Sequence, residues 1–228
     1  MFKKKNTILC IAAHPDDEAL GPGGTLIKHV LENDNVNIII FSDGEGAKKN
    51  IKQINPNRIQ AAQSWCKITG CKLLEVKEFP DQKLDTIPQI NLVSIIEKVL
   101  DNIMPNIVYI HNPTDINKDH QILADASLVA LRPMRLGSNF PEVRAFETPS
   151  STEQAPNIEK YIFMPNLYVS IASVWNKKIE ALECYKKELG DFPHPRSIKS
   201  IESLAIKRGT ESGIEKAEAF MVLKKIIM

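Results

Sequence analysis

Residues 7–24 read TILCIAAHPDDEALGPGG, and this stretch decides the architecture. Its first part, Thr7 to Ala13, is an unbroken apolar run of strand length, suited to a strand buried on both faces of a parallel sheet. The run stops at His14-Pro15-Asp16-Asp17-Glu18, which sets an imidazole and three carboxylates within five residues where a buried strand meets solvent. Gly23-Gly24-Thr25 then opens a helix through about Asn33. Strand, polar loop and glycine-started helix form the first half of a βαβ unit.

The same alternation continues outward. Val36 to Ser42 is β-branched and ends at Asp43-Gly44, and a helix follows near Asn55-Pro56, where Asn can cap and Pro fits the first turn. Lys72 to Glu78 reads as a third strand. Pro88 to Met104 carries Leu92, Ile95, Ile96, Val99, Leu100 and Ile103 on one helical stripe, stopped by Pro105. Asn106 to Ile110 is a fourth strand, His111 to Asp119 a polar loop, and His120 to Leu131 a helix. This order implies a Rossmann-like α/β fold: a mainly parallel sheet with helices on both faces and ligands beyond the carboxyl ends of the strands. We expect one domain over residues 1–228, with the Rossmann-like core in 1–132 and a loop-rich, helical part in 133–228 completing the substrate pocket. In that second part a strand is expected at Glu142 to Glu147, and helices at Ile179 to Leu189, Ile198 to Lys207 and Glu215 to Ile227.

Composition bounds the partners. The chain has 228 residues, of which 43% are hydrophobic, and 29 basic against 28 acidic residues leave a net charge of +1. A nucleic-acid wrapper or polybasic membrane binder needs excess Lys and Arg, so neither partner is expected, and small molecules or glycans are favoured. No apolar stretch approaches the roughly 20 residues that span a bilayer, so stable membrane insertion is not expected. The apolar run after Lys3-Lys4-Lys5 is shorter than a signal-peptide core. The four cysteines form no CxxC pair and read as reduced thiols. A cytoplasmic location is therefore expected.

Two loops carry chemistry. Crowded carboxylates repel one another, and a bound cation is the simplest way to keep the 14–18 cluster ionised, although Asp16 or Asp17 as a helix cap is a structural alternative. The strand at Asn106 to Ile110 delivers a second His-and-Asp loop, residues 111–120, to the same sheet edge. His14, one of Asp16 and Asp17, and His120 would make a three-ligand zinc set with a position left for water. Gly21-Pro22-Gly23-Gly24 is not a dinucleotide loop, because Leu26 stands where that fingerprint needs glycine.

On the Ala-His-Pro-Asp-Asp-Glu of residues 13–18 and the Asp119-His120 ending of the second loop, the sequence resembles the PIG-L/LmbE-like family of zinc-dependent N-acetyl-sugar deacetylases. Weaker echoes lie at Arg58, residues 147–153, 165–169, His194-Pro195-Arg196-Ser197, Arg208-Gly209 and residues 217–220. The resemblance implies that His14, Asp17 and His120 bind Zn2+ and that Asp16 is the general base. It also implies that Arg58 contacts substrate, for which a surface helix arginine is the plain alternative. The implied reaction is amide hydrolysis of an N-acetylated amino sugar or glycoconjugate. Two imidazoles and a carboxylate also suit Fe2+ or another divalent metal.

One departure stands out. Where many members carry His-x-Asp-His, this chain has Asn117-Lys118-Asp119-His120, without the usual electrophilic imidazole. Asn117 is the expected amide donor to the oxyanion, with His194 or His111 as substitutes or as structural histidines, and His194 is also expected, with Arg58, to contact substrate. Asp119 is expected to orient a metal-binding imidazole. The alternative to an enzyme is a non-catalytic metal- or sugar-binding protein on the same scaffold.

Overall fold

The computed structural model describes residues 5–46 and 57–227. Strand β1 (Thr7–Ala12) leads through a short helix α1 (Asp17–Leu20) into α2 (Gly23–Leu31) and β2 (Asn35–Ser42). Then come α3 (Asn57–Thr69), β3 (Lys72–Phe79), α4 (Gln89–Ile103), β4 (Ile107–His111) and α5 (Lys118–Ala130). The chain ends with α6 (Pro133–Leu136), β5 (Glu142–Phe146), β6 (Leu167–Ser170), α7 (Trp175–Leu182), α8 (Ile198–Ser212) and β7 (Ala217–Lys224). The expected helix start at Asn55-Pro56 lies outside the described residues.

Among the described residues, seven strands form one sheet in the order β3-β2-β1-β4-β5-β7-β6. The first five pair in parallel, and β7 runs antiparallel between β5 and β6. Successive side chains of a strand point to opposite faces, and β1 uses both. Ile8, Cys10 and Ala12 join Leu26, Ala62, Trp65 and Leu182 on one side, while Leu9, Ile11 and Ala13 join Leu92, Ile96, Leu100 and Leu123 on the other. Fully burying each such Leu or Ile contributes about 1.5–3 kcal/mol. Helix α4 follows its predicted stripe and ends at Met104, whose left-handed backbone (φ 43°) precedes Pro105.

The second half differs from expectation in three places. The segment expected as a helix over Glu215 to Ile227 is instead strand β7. Ala, Glu, Leu and Lys favour helices, but two-sided pairing with β5 and β6 outweighs local propensity. The single helix expected over Ile179 to Leu189 breaks: α7 stops at Leu182, and a tighter turn follows in which Tyr185 leaves helical geometry. Strand β6 was not anticipated. β7 also explains a sequence echo, because Glu218 accepts the N–H groups of Gly24 and Thr25, both at 2.7 Å. It thereby closes the start of α2, where Pro22 offers no side-chain cap, and it pairs with the buried Lys178 ammonium at 2.7 Å.

From β1 the chain moves outward through β2 to β3, then crosses back to place β4 on the other side of β1. The carboxyl ends of β1 and β4 therefore border the crevice where connections diverge, the usual ligand position in open parallel sheets. Among the described residues, no helix is long and apolar enough to cross a membrane.

Candidate metal and catalytic centre

The crevice between β1 and β4 is filled by the two polar loops. The Ala13 N–H donates to His111 Nε2 at 3.0 Å and ties the two strand ends together. One residue on, the His14 N–H donates to Asp17 Oδ2 at 2.8 Å, folding the loop so that Asp17 turns back toward the imidazole. His14 Nδ1 lies 3.2 Å and His120 Nε2 3.4 Å from the same Asp17 oxygen. The ligand atoms of His14, Asp17 and His120 all fall within 4.8 Å of one another. These side chains are almost wholly buried.

The donor set fits a divalent cation. Asp17 Oδ1 and His120 Nε2 are buried without a hydrogen-bond partner, a costly state for polar atoms unless an ion satisfies them. His14 Nε2 sits 3.1 Å from Asp119 Oδ2 and 3.1 Å from Asp81 Oδ1. Facing two carboxylates, that nitrogen carries the proton, which leaves Nδ1 to face the centre. Asp119 is committed further, accepting the Gln82 and Leu84 N–H groups at 2.8 and 3.0 Å. It holds His14, as a carboxylate behind a metal-binding imidazole does. Asp115 stands in the same relation to His120, 3.5 Å from Nδ1. Ser151 and Thr152 donate their hydroxyls to Asp115, which accounts for part of the 147–153 echo.

Charge and burial set the protonation pattern. Burial favours a neutral Asp17, but the imidazoles of His120 and His111 outweigh it and hold the carboxyl well below its ordinary range. Burial likewise opposes charging of His120, yet Asp17 and Asp115 push it up to about 9. His111 goes the other way, pushed down to about 4 by burial and by His120, on which its ring stacks at 3.9 Å. Glu18 is raised to about 8 by burial and accepts the Tyr185 hydroxyl. Asp16 is fully buried; burial raises its pKa, and Arg58 and Arg196 oppose the rise.

The remaining expected residues fall into different positions. The Arg58 guanidinium turns inward, donating to the carbonyls of Gly44 and Pro15 and pairing with Asp16 at 2.9 Å. It braces these two loops and also lies 3.8 Å from Glu188. Asn117 is the N-cap of α5: its side-chain oxygen accepts the Asp119 N–H at 2.9 Å, which gives an asparagine there a structural reason. His111 accepts the Ala13 N–H through Nε2 and lies 3.4 Å from Asp17 Oδ2, so its ring ties the two strand ends together beside the centre. His194 is exposed, and its Nδ1 accepts the Arg196 N–H at 3.1 Å. Asp81, Asp115 and Arg196 were not singled out from sequence. Asp115 lay inside the quoted second loop, Asp81 follows a strand end, and Arg196 lay beside His194 in an echo.

Compared with known proteins, residues 9–131 match the family described as PIG-L, GlcNAc-PI de-N-acetylase. A relative from Escherichia coli named uncharacterized deacetylase YaiS is 27% identical over 190 residues, covering 80% of this chain and 92% of its own. Among solved structures, the N,N'-diacetylchitobiose deacetylase of Pyrococcus horikoshii gives a TM-score of 0.78 at 19% identity, covering 97% of this chain and 85% of that one. GalB, the 4-carboxy-2-hydroxymuconate hydratase of Pseudomonas putida, gives 0.76 at 20% identity, with 98% of both chains covered. At these identities the structural likeness establishes the fold, which therefore serves more than one chemistry.

Proposed function

The chain belongs to the PIG-L family of de-N-acetylases, and from that premise we propose that it hydrolyses the N-acetyl group of an N-acetylated amino sugar, free or within a glycoconjugate. The observation that carries this reading is the convergence of His14, Asp17 and His120, with unpartnered buried atoms on Asp17 and His120, beside the buried carboxylate of Asp16.

A divalent metal held by these three residues, zinc by family resemblance, would supply the positive centre that polarises the acetamide carbonyl and acidifies water. Asp16 takes a proton from the water as its oxygen bonds to the carbonyl carbon, and returns one to the nitrogen as the C–N bond breaks. Acetate and a primary amine leave. Asp119 and Asp81 keep the His14 ring in place, and Asp115 does the same for His120. Arg58 braces the 14–18 loop. The four unpaired cysteines suit a reducing cytoplasmic setting.

The test is acetate and primary-amine release from a panel of N-acetylated amino sugars and their conjugates, with zinc-loaded and chelator-stripped protein side by side. Equimolar release that depends on the metal supports the reading. Silence across the panel from protein with one bound metal per chain favours the non-catalytic binder.

A further inference from the structure

Two guanidinium groups converge on a single oxygen of Asp16. Arg58 Nη2 lies 2.9 Å and Arg196 Nη1 2.8 Å from Oδ2, whereas Oδ1 is buried without a hydrogen-bond partner. The backbone is constrained as well. Asp16 has φ 126°, a left-handed conformation that a non-glycine residue keeps only when its surroundings impose it, and its N–H donates to Glu18 Oε2 at 3.1 Å.

The two arginines are not equivalent. Arg58 divides its donors between Asp16 and two backbone carbonyls, so its loss would loosen both loops. Arg196 makes side-chain contacts: Nη1 on Asp16 and Nε on Ser150 Oγ at 2.5 Å. It comes from a segment 180 positions away in sequence and is more exposed than Arg58, at 22% against 11%. Ser150 itself sits at φ 70°, which holds its hydroxyl at the far end of the guanidinium.

We propose that Arg196 is a positioning residue for the deacetylation. It anchors Asp16 through Oδ2, so that Oδ1 is the oxygen presented to the reacting water. The inference rests on Asp16 being the general base. A two-point hold between Ser150 and Asp16 needs the rigid fork of a guanidinium, and a lysine ammonium supplies the charge without it.

The experiment compares Arg196→Ala, Arg196→Lys and Asp16→Asn with the wild type, each zinc-loaded, with melting temperature and metal content measured on the same samples. In Arg196→Ala, kcat should fall by about 10²-fold, the scale of a small misplacement at a reacting centre, with KM held within about 3-fold, a split that marks loss of an interaction made in the transition state. Bound metal should be unchanged, added methylguanidinium should restore part of kcat, and Arg196→Lys should remain slow. An unchanged kcat, or a raised KM with kcat intact, overturns the inference, the latter because Arg196 would then be contacting substrate. If the alanine variant does not fold, the same kcat and KM split in Arg196→Lys decides. Activity surviving in Asp16→Asn would refute the general-base reading itself, whereas inactive Asp16→Asn beside a normal Arg196→Ala would refute only the role of Arg196.

Discussion

Replacing Asp119 by asparagine keeps the shape of a fully buried side chain but breaks its pattern of hydrogen bonds. Oδ1 accepts the Leu84 N–H at 3.0 Å, while Oδ2 accepts the Gln82 N–H at 2.8 Å and faces His14 Nε2 at 3.1 Å. An amide has one acceptor oxygen, so whichever way the new side chain turns, its NH2 group confronts at least one donor. One charge-assisted hydrogen bond is lost, worth about 1.5–3 kcal/mol of stability. The larger consequence is for the metal. A carboxylate behind a ligating imidazole fixes the tautomer and the ring, and losing it typically costs about 10- to 100-fold in affinity, or about 1.4–2.8 kcal/mol. Competition against a chelator of known affinity measures this directly, and melts of stripped and loaded protein separate it from the fold. A folded Asp119→Asn variant that holds zinc as tightly as wild type would refute the claim that Asp119 orients His14.

Other consequences follow from contacts elsewhere. Asn117→Ala removes the cap of α5 and should cost about 0.5–2 kcal/mol in urea unfolding; Asn117→Ser should restore both stability and acetate release, whereas an oxyanion role would leave the serine variant slow. Glu218→Ala strands the buried Lys178 ammonium and the N–H groups of Gly24 and Thr25, so it should destabilise by about 3–5 kcal/mol in the same unfolding assay. Burial raises all four thiols, Cys71 to about 12, but Cys10, Cys66 and Cys71 are buried whereas Cys184 is only half-buried and reachable. Because thiolate is the reactive form, Ellman's reagent should titrate about one thiol in the folded protein and the rest only after denaturation.

The parallel half of the sheet was legible because burial on both faces leaves an uninterrupted apolar run, as in residues 8–13 and 38–41. Helix α4 was legible from its stripe. Position relative to β1 followed from topology rules, which brought the 14–18 and 111–120 loops to one crevice without any side-chain information; the choice of Asp17 over Asp16 as a ligand came from the family resemblance. The tail was misread where long-range pairing decides: residues 217–224 contain good helix formers, and only β5 and β6 make them a strand. Asn117 was read for its amide N–H, while its side-chain oxygen caps α5, a signal that an asparagine just before a helix also carries in the sequence. Arg196 meets Asp16, and Asp81 meets His14, across separations that no local pattern records.

The most direct test of the account is the location of the metal. Anomalous diffraction at the zinc edge from crystals of zinc-loaded protein should place one peak about 2.0–2.2 Å from His14 Nδ1, an Asp17 oxygen and His120 Nε2. A peak on the other side of the same imidazole, bound by His14 Nε2 with Asp81 and Asp119, would contradict it, because Asp81 and Asp119 would then be ligands and His120 would lie outside the centre.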